Sequence, residues 1–223
     1  MPVKVKICGV RTPAIIEEAA RAGADFVGLV LIPASPRNVE LEEARVLAAI
    51  ARGKIGTVAV LVDPDDELVA GVAERVRPDL IQLHGNETPE RVAAIKAMTG
   101  LPVMKAIAVV EAADARRASD YAGSADLILF DAKASPDARL SGGNGVAFDW
   151  QALAGLKPPF ALSGGLTAET VGQAIEATGA TLVDVSSGVE VSRGVKDAAL
   201  IRQFIKAAKS FERAARLAPS VAE

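Results

Sequence analysis

The feature that most constrains this chain is an eightfold alternation. Short runs rich in β-branched residues recur between longer stretches rich in Ala and Glu. The expected strands are Val3–Ile7, Phe26–Leu31, Lys54–Val62, Leu80–Leu83, Pro102–Ile107, Leu127–Phe130, Phe160–Leu162 and Leu182–Val185. Strand–helix alternation of this kind means parallel strands joined by right-handed crossovers. Eight units in 223 residues leave about 28 residues each, close to the smallest TIM barrels. A doubly wound open sheet satisfies the same alternation. The count of eight favours a (β/α)8 barrel, as does the position of the chemically suggestive residues, all of which follow strands. The expectation is an α/β chain with eight parallel strands in a single domain over residues 1–223.

Local signals punctuate the helices. Thr12-Pro13 and Thr88-Pro89 each offer a capping hydroxyl followed by Pro in the first helical position. Gly23 and Gly100 stand where helix ends favour a left-handed residue. Asp63-Pro64 and Thr167 are expected to open further helices. The last helix is expected from Asp197 to about Ala215, with a frayed tail over 216–223.

Half of the residues are apolar but only 4% are aromatic, so aliphatic side chains must fill the core. The net charge of −3 comes from interleaved signs, without the basic stripe a nucleic-acid partner requires. A single Cys forbids an intrachain disulfide and fits a reducing compartment. The N-terminal MPVKVKICG lacks the apolar core of a signal peptide, and no apolar run reaches the length of a membrane span. These features lead to the expectation of a cytoplasmic chain with no membrane partner.

In barrel enzymes the active site forms at the C-terminal ends of the strands. The residues at those ends are Cys8-Gly9, Ser35-Pro36-Arg37, Gln82-Leu83-His84-Gly85, Asp131-Ala132-Lys133, Ser163-Gly164-Gly165, and Asp184 running into Ser186-Ser187-Gly188. The two Gly-rich turns follow strands seven and eight, where barrels commonly bind phosphate. Gly164, Gly165, Ser187 and Gly188 are the candidate cradle, although each turn alone could serve only to reverse the chain. A lone Cys such as Cys8 is more often a small buried apolar residue than a catalyst, and Asp131 also reads as an N-cap or loop carboxylate. Arg37 reads as solvated or paired with a nearby Glu. His84 is the only His, so metal ligation is not expected and a hydrogen-bonded structural role fits better. If Cys8 faces the lumen, so do Lys6 and Lys4, while Val3, Val5 and Ile7 face the helices. Lys6 then either favours the thiolate or pairs with a lumen carboxylate. Residues 133–147, with Ser135-Pro136 and Ser141-Gly142-Gly143-Asn144-Gly145, are the longest irregular stretch and read as a lid.

The segments VKICG at the start, SPR at 35–37, QLHG at 82–85 and FDA at 130–132 resemble the phosphoribosylanthranilate isomerase family. So do GGNGVAFDW at 142–150, LSGGL at 162–166 and DVSSGVE…GVKD at 184–197. The matches keep the family's order from residue 4 to residue 197. Small departures are Asn144 where Thr is more usual, Ser163 where Ala is usual, and Thr170 in place of a frequent Asn. The resemblance implies an Amadori rearrangement in tryptophan biosynthesis, without cofactor or metal. Its substrate is a small molecule, N-(5-phosphoribosyl)anthranilate. Carried over motif by motif, Asp131 is the general acid and Cys8 the general base. Arg37 holds the anthranilate carboxylate, Asp184 contacts the bridging amine, and Gly143 belongs to the substrate-binding set. An ordinary Asp is a weak acid at neutral pH, so burial and substrate anions are expected to raise Asp131. An ordinary Cys needs a nearby cation to act as a base. A monomer is expected, with a homodimer as the alternative. Bifunctional histidine-pathway relatives look like a duplicated half-barrel with an Asp at the end of strand one, where this chain has Cys8. A non-catalytic phosphate-binding barrel has no need for Cys8 and Asp131 together.

Overall fold

In a computed structural model, residues 3–132, 150–153, 156–157 and 159–217 are described. Eight parallel strands close into a barrel in chain order. They are β1 (Lys4–Cys8), β2 (Phe26–Val30), β3 (Gly56–Leu61), β4 (Leu80–Leu83), β5 (Val103–Val109), β6 (Leu127–Ala132), β7 (Ala161–Ser163) and β8 (Leu182–Val185). Closure is carried by β1 against β8, with Lys4 opposite Leu182 and Lys6 opposite Asp184. The open-sheet alternative is thereby excluded. Each expected strand is present, with ends shifted by up to two residues.

Alternation along the strands sorts side chains into two apolar cores. Val3, Val5 and Ile7 join the shell between sheet and helices, as expected. Cys8, Val30, Val58, Val60, Met104, Ala106, Leu129, Ala161 and Leu182 fill the lumen. Lys4 lies at the N-terminal end of the same lumen face, its ammonium 5.8 Å from the Phe26 ring centre.

The helices that cover the barrel are α1 (Pro13–Ala22), α2 (Leu41–Ala51), α3 (Asp66–Gly71), α4 (Pro89–Thr99), α5 (Ala112–Arg116), α6 (Val171–Thr178) and α7 (Ala198–Leu217). Thr12 caps α1 by accepting from Ile15 N, and Thr88 caps α4 by accepting from Arg91 N. Gly23 (φ 93°) and Gly100 (φ 66°) end those helices in the left-handed region. Two expected starts are corrected. The cap of α3 is Asp65, whose Oδ1 accepts from Leu68 N at 2.8 Å, not Asp63-Pro64. Asp63 instead bends the chain at φ 45° and accepts from Asn86 N at 2.7 Å. Helix α6 begins at Val171, because Thr170 Oγ1 takes the Thr167 N–H at 3.0 Å and holds residues 167–170 in a turn. Asp197 caps α7 through Leu200 N, as the sequence suggested, and that helix continues to Leu217.

Three aspartates fasten the N-terminal end of the barrel. Asp25 Oδ2 accepts from Val5 N at 2.8 Å, Asp79 Oδ2 from Thr57 N at 2.7 Å, and Asp126 Oδ2 from Val103 N at 2.9 Å. Each lies just before an even-numbered strand and clamps the strand that precedes it in the barrel.

Candidate active site

Cys8 ends β1 and Asp131 lies one residue before the end of β6, so both stand at the C-terminal mouth. Cys8 is directly opposite Gly28 of β2. A Cβ at position 28 would come within 2.9 Å of the Cys8 sulfur and 3.2 Å of Lys6 Cε, so only glycine leaves both side chains room. Lys6, one pleat below Cys8, is fully buried and donates to Asp184 Oδ2 at 2.9 Å. The structural pairing considered for Lys6 is therefore present, and its electrostatic influence on Cys8 operates at the same time. Burial pushes the Cys8 thiol above its ordinary value and Asp184 adds to that, while Lys6 and Lys196 pull it down. Burial also opposes the Lys6 charge, but Asp184 and Cys8 outweigh it and hold that ammonium above its usual range. Asp184 Oδ1 is buried with no hydrogen-bond partner among the described residues. It is a free acceptor and calls for a donor.

Arg37 lies across the bare backbone of Gly9, where a Cβ would meet Arg37 Cδ at 2.5 Å. Its Nε and Nη2 donate to the two carboxylate oxygens of Glu190 at 2.7 and 2.8 Å. The pairing with a Glu considered for Arg37 is therefore present: one edge of its planar fork is taken by a carboxylate that is only 4% exposed. Nη1 has no partner among the described residues. Glu190 also accepts from Lys196 Nζ at 2.7 Å and from Gly194 N at 3.1 Å. Burial alone would raise its pKa, but these donors hold it down at about 2. Burial drives Lys196 below its ordinary value despite Glu190, with Arg37 adding to the effect. Lys196 reaches on to Ser186 O at 2.9 Å, and Ser186 Oγ donates to Cys8 O at 3.1 Å. A continuous polar chain thus runs from Arg37 to the backbone of the thiol.

Asp131 Oδ2 lies 3.2 Å from His84 Nε2, and His84 Nδ1 lies 2.9 Å from Gln82 Nε2. The turn that carries His84 is held by its own amide, which donates to Leu61 O at 2.8 Å, and by Glu87, which accepts from Gly85 N and Asp63 N. Lys105 Nζ, buried at 2.8 Å from Glu87, anchors that carboxylate. Burial would raise Glu87, but these donors bring it below the usual range.

The two glycine turns meet at the mouth. Gly164 (φ 101°) and Gly165 (φ 62°) adopt backbone that L side chains resist, and their amides find no acceptor among the described residues. Gly188 packs so closely that a Cβ would overlap the Leu166 carbonyl oxygen. A cavity of about 160 Å³ is lined by Arg37, Asp131, Asp184, Gly164, Gly165, Ser187 and Gly188, with Ser163, Leu166, Val185 and Ser186 between them. The residues singled out from the sequence therefore converge on one opening, beside Cys8. Gly143 and the whole stretch 133–147 lie outside the described residues. Gln82 and Ser186 were placed at strand ends but given no role, and Glu190 and Lys196 had no sequence signal beyond membership of the DVSSGVE…GVKD segment. Among the described residues no cluster of His, Cys, Asp and Glu is arranged to hold a metal ion, and no helix is long and apolar enough to cross a membrane.

Comparison with known proteins agrees with this fold. Residues 5–207 match the family described as N-(5'-phosphoribosyl)anthranilate (PRA) isomerase. An N-(5'-phosphoribosyl)anthranilate isomerase of Rhodopseudomonas palustris is 53% identical over 215 residues, covering 96% of this chain and 99% of the relative. The crystal structure of phosphoribosyl anthranilate isomerase from Thermotoga maritima superposes with a TM-score of 0.84 at 36% identity, over 93% of this chain and 99% of that one. A phosphoribosyl anthranilate isomerase in complex with reduced 1-(o-carboxyphenylamino)-1-deoxyribulose 5-phosphate gives 0.81 at 34%, with the same coverage. The chain belongs to the N-(5'-phosphoribosyl)anthranilate isomerase family.

Proposed function

We propose that Asp131 and Cys8 are the acid and base with which this chain converts N-(5-phosphoribosyl)anthranilate to 1-(2-carboxyphenylamino)-1-deoxyribulose 5-phosphate. The observation that carries this assignment is the shared mouth, where both groups stand beside one cavity with the glycine turns. Asp131 gives its proton to the furanose ring oxygen. The C1–O bond breaks as the amine nitrogen lone pair forms the C1=N bond of a protonated Schiff base. The Cys8 thiolate then removes the C2 proton, and the electrons of that bond give the enolamine. Loss of the C2 hydroxyl proton and return of a proton to C1 yield the ketone.

The surrounding groups fit the substrate's charges. The unpartnered Oδ1 of Asp184 matches the N–H of the bridging amine. The Nη1 side of Arg37 is left for the anthranilate carboxylate. The free amides of Gly164 and Gly165, with Ser187 and Gly188, suit the phosphate. Activity as a monomer is part of the same proposal. So is a cytoplasmic setting, where the single thiol stays reduced. The test is a continuous fluorescence assay of substrate freshly made from anthranilate and a phosphoribosyl donor. Purified protein that leaves the signal to decay at the spontaneous rate would refute the assignment.

A further inference from the structure

Gln82 and His84 form a short polar column beneath Asp131 that the reaction as written does not use. Gln82 is fully buried on the lumen face of β4, between Val60 of β3 and Met104 of β5. An amide in that apolar layer is costly unless its hydrogen bonds are made. Its Nε2 is 2.9 Å from His84 Nδ1, while its Oε1 is buried with no partner among the described residues. Turning the amide over would pair Oε1 and strand both N–H groups of Nε2 instead. Buried donors are left unpaired less readily than buried carbonyls, so the amide stands as described. An amide nitrogen only donates, so Nδ1 must accept and the imidazole proton must sit on Nε2. Nε2–H then points at Asp131 Oδ2, 3.2 Å away.

We propose that Gln82 is a positioning residue: it locks His84 as the Nε2–H tautomer, which reserves Asp131 Oδ2 as an acceptor and leaves the transferable proton only Oδ1. A proton on Oδ2 would face the imidazole N–H, donor against donor. The acid is therefore presented with its proton on the oxygen His84 does not hold. This rests on Asp131 being the acid. Among the described residues, the other charged groups near it are engaged elsewhere. Arg37 is held by Glu190, Asp184 by Lys6, and Lys105 of the adjacent β5 turns outward to Glu87. Strand β7 sets only Ser163 in register with Asp131.

Because His84 is the only histidine in the chain, 15N-histidine labelling gives one imidazole and no assignment problem. In the wild-type protein with a neutral imidazole, the expected spectrum shows protonated Nε2 and bare Nδ1. A proton on Nδ1, an even mixture of tautomers, or an imidazolium persisting across the pH range would overturn the proposal. Gln82→Met keeps the volume and removes the donor. It should release the tautomer preference, lower kcat about tenfold with KM little changed, and shift the pH profile of kcat. A folded Gln82→Met protein with unchanged spectrum and kcat would also overturn it. If that variant does not fold, the wild-type spectrum decides. Turnover retained by Asp131→Asn would instead sink the acid assignment, whatever tautomer His84 shows.

Discussion

At the N-terminal end of the barrel, Asp25, Asp79 and Asp126 bind backbone amides of neighbouring strands. At the C-terminal mouth, Asp131 and Asp184 each commit only Oδ2 among the described residues. Cavity size runs the other way. The N-terminal end holds a cavity of about 500 Å³ that includes Asp25 and Asp79, and another of about 360 Å³ walled by Phe26, Leu80, Leu127 and Leu182. The mouth holds about 160 Å³. Open volume therefore does not mark the chemical end of this barrel. A carboxylate oxygen buried without a donor does: among the described residues Asp184 Oδ1 is the one such oxygen, and it lies at the mouth.

The comparison is broken most directly by exchanging the consequences of mutation at the two ends. Cys8→Ala and Asp131→Asn should each lower kcat by about 10²–10⁴ and leave the thermal midpoint nearly unchanged. In the wild type, kcat/KM should rise with pH into the alkaline range, since burial raises the thiol and only its deprotonated form is a base. A flat profile there would remove Cys8 from that role.

Glu190 sharpens the same contrast, because it is a mouth carboxylate whose oxygens are all engaged. Its folded pKa of about 2 lies below the ordinary 4.5. A depressed acid stabilises the fold fully above the unfolded value, and that stability is lost as pH falls from about 4.5 toward 2. The shift corresponds to about 3 kcal/mol. Denaturant titrations across that window should show the loss, and Glu190→Gln should flatten it. An unaltered acid limb in that variant would place the pH dependence elsewhere.

At the opposite end, Asp79→Ala should cost about 1–3 kcal/mol, because the Thr57 amide and hydroxyl lose their acceptor in a buried strand. Its kcat and KM should stay at wild-type values, and a change in either would undo the division between the two ends. The smallest effect is expected at Gly165. The space where its Cβ would stand is open, so a side chain there enters the cavity rather than the core. Gly165→Leu should raise KM about tenfold, with a smaller change in kcat, because phosphate contacts serve ground and transition states alike. Steady-state kinetics with a falling kcat at constant KM would argue against a phosphate cradle at that turn.

The legible part of this molecule is what short-range signals encode. Short β-branched runs marked all eight strands, and Thr12, Thr88 and Asp197 marked helix starts, each caught by a hydroxyl or carboxylate cap. The misplaced starts have different causes: at Asp63 a second carboxylate two positions on, Asp65, took the cap, while at Thr167 the Thr170 hydroxyl closed a turn that delayed the helix. Cys8, Asp131 and Asp184 could be placed at the mouth from strand ends and parity alone. The pairings could not be read. Arg37 meets Glu190 across 153 positions and Lys6 meets Asp184 across 178. Both depend on closure of β1 against β8, which no local pattern fixes. The Gln82–His84–Asp131 column was hidden for the same reason, since it needs β4 and β6 brought to one lumen.

The empty space at Gly28 has a consequence for how this active site can change over generations. Position 28 and position 8 occupy one shared volume, with the Cys8 sulfur filling the place a larger neighbour would need. A lineage that replaced the thiol by a bulkier carboxylate would have to find its extra room beside Lys6, since Gly28 has nothing left to give up. A lineage that acquired even a methyl group at 28 would first have to shrink or move residue 8. Position 28 can therefore grow only after position 8 has shrunk or moved, so the identity of the base constrains its neighbour on the adjacent strand.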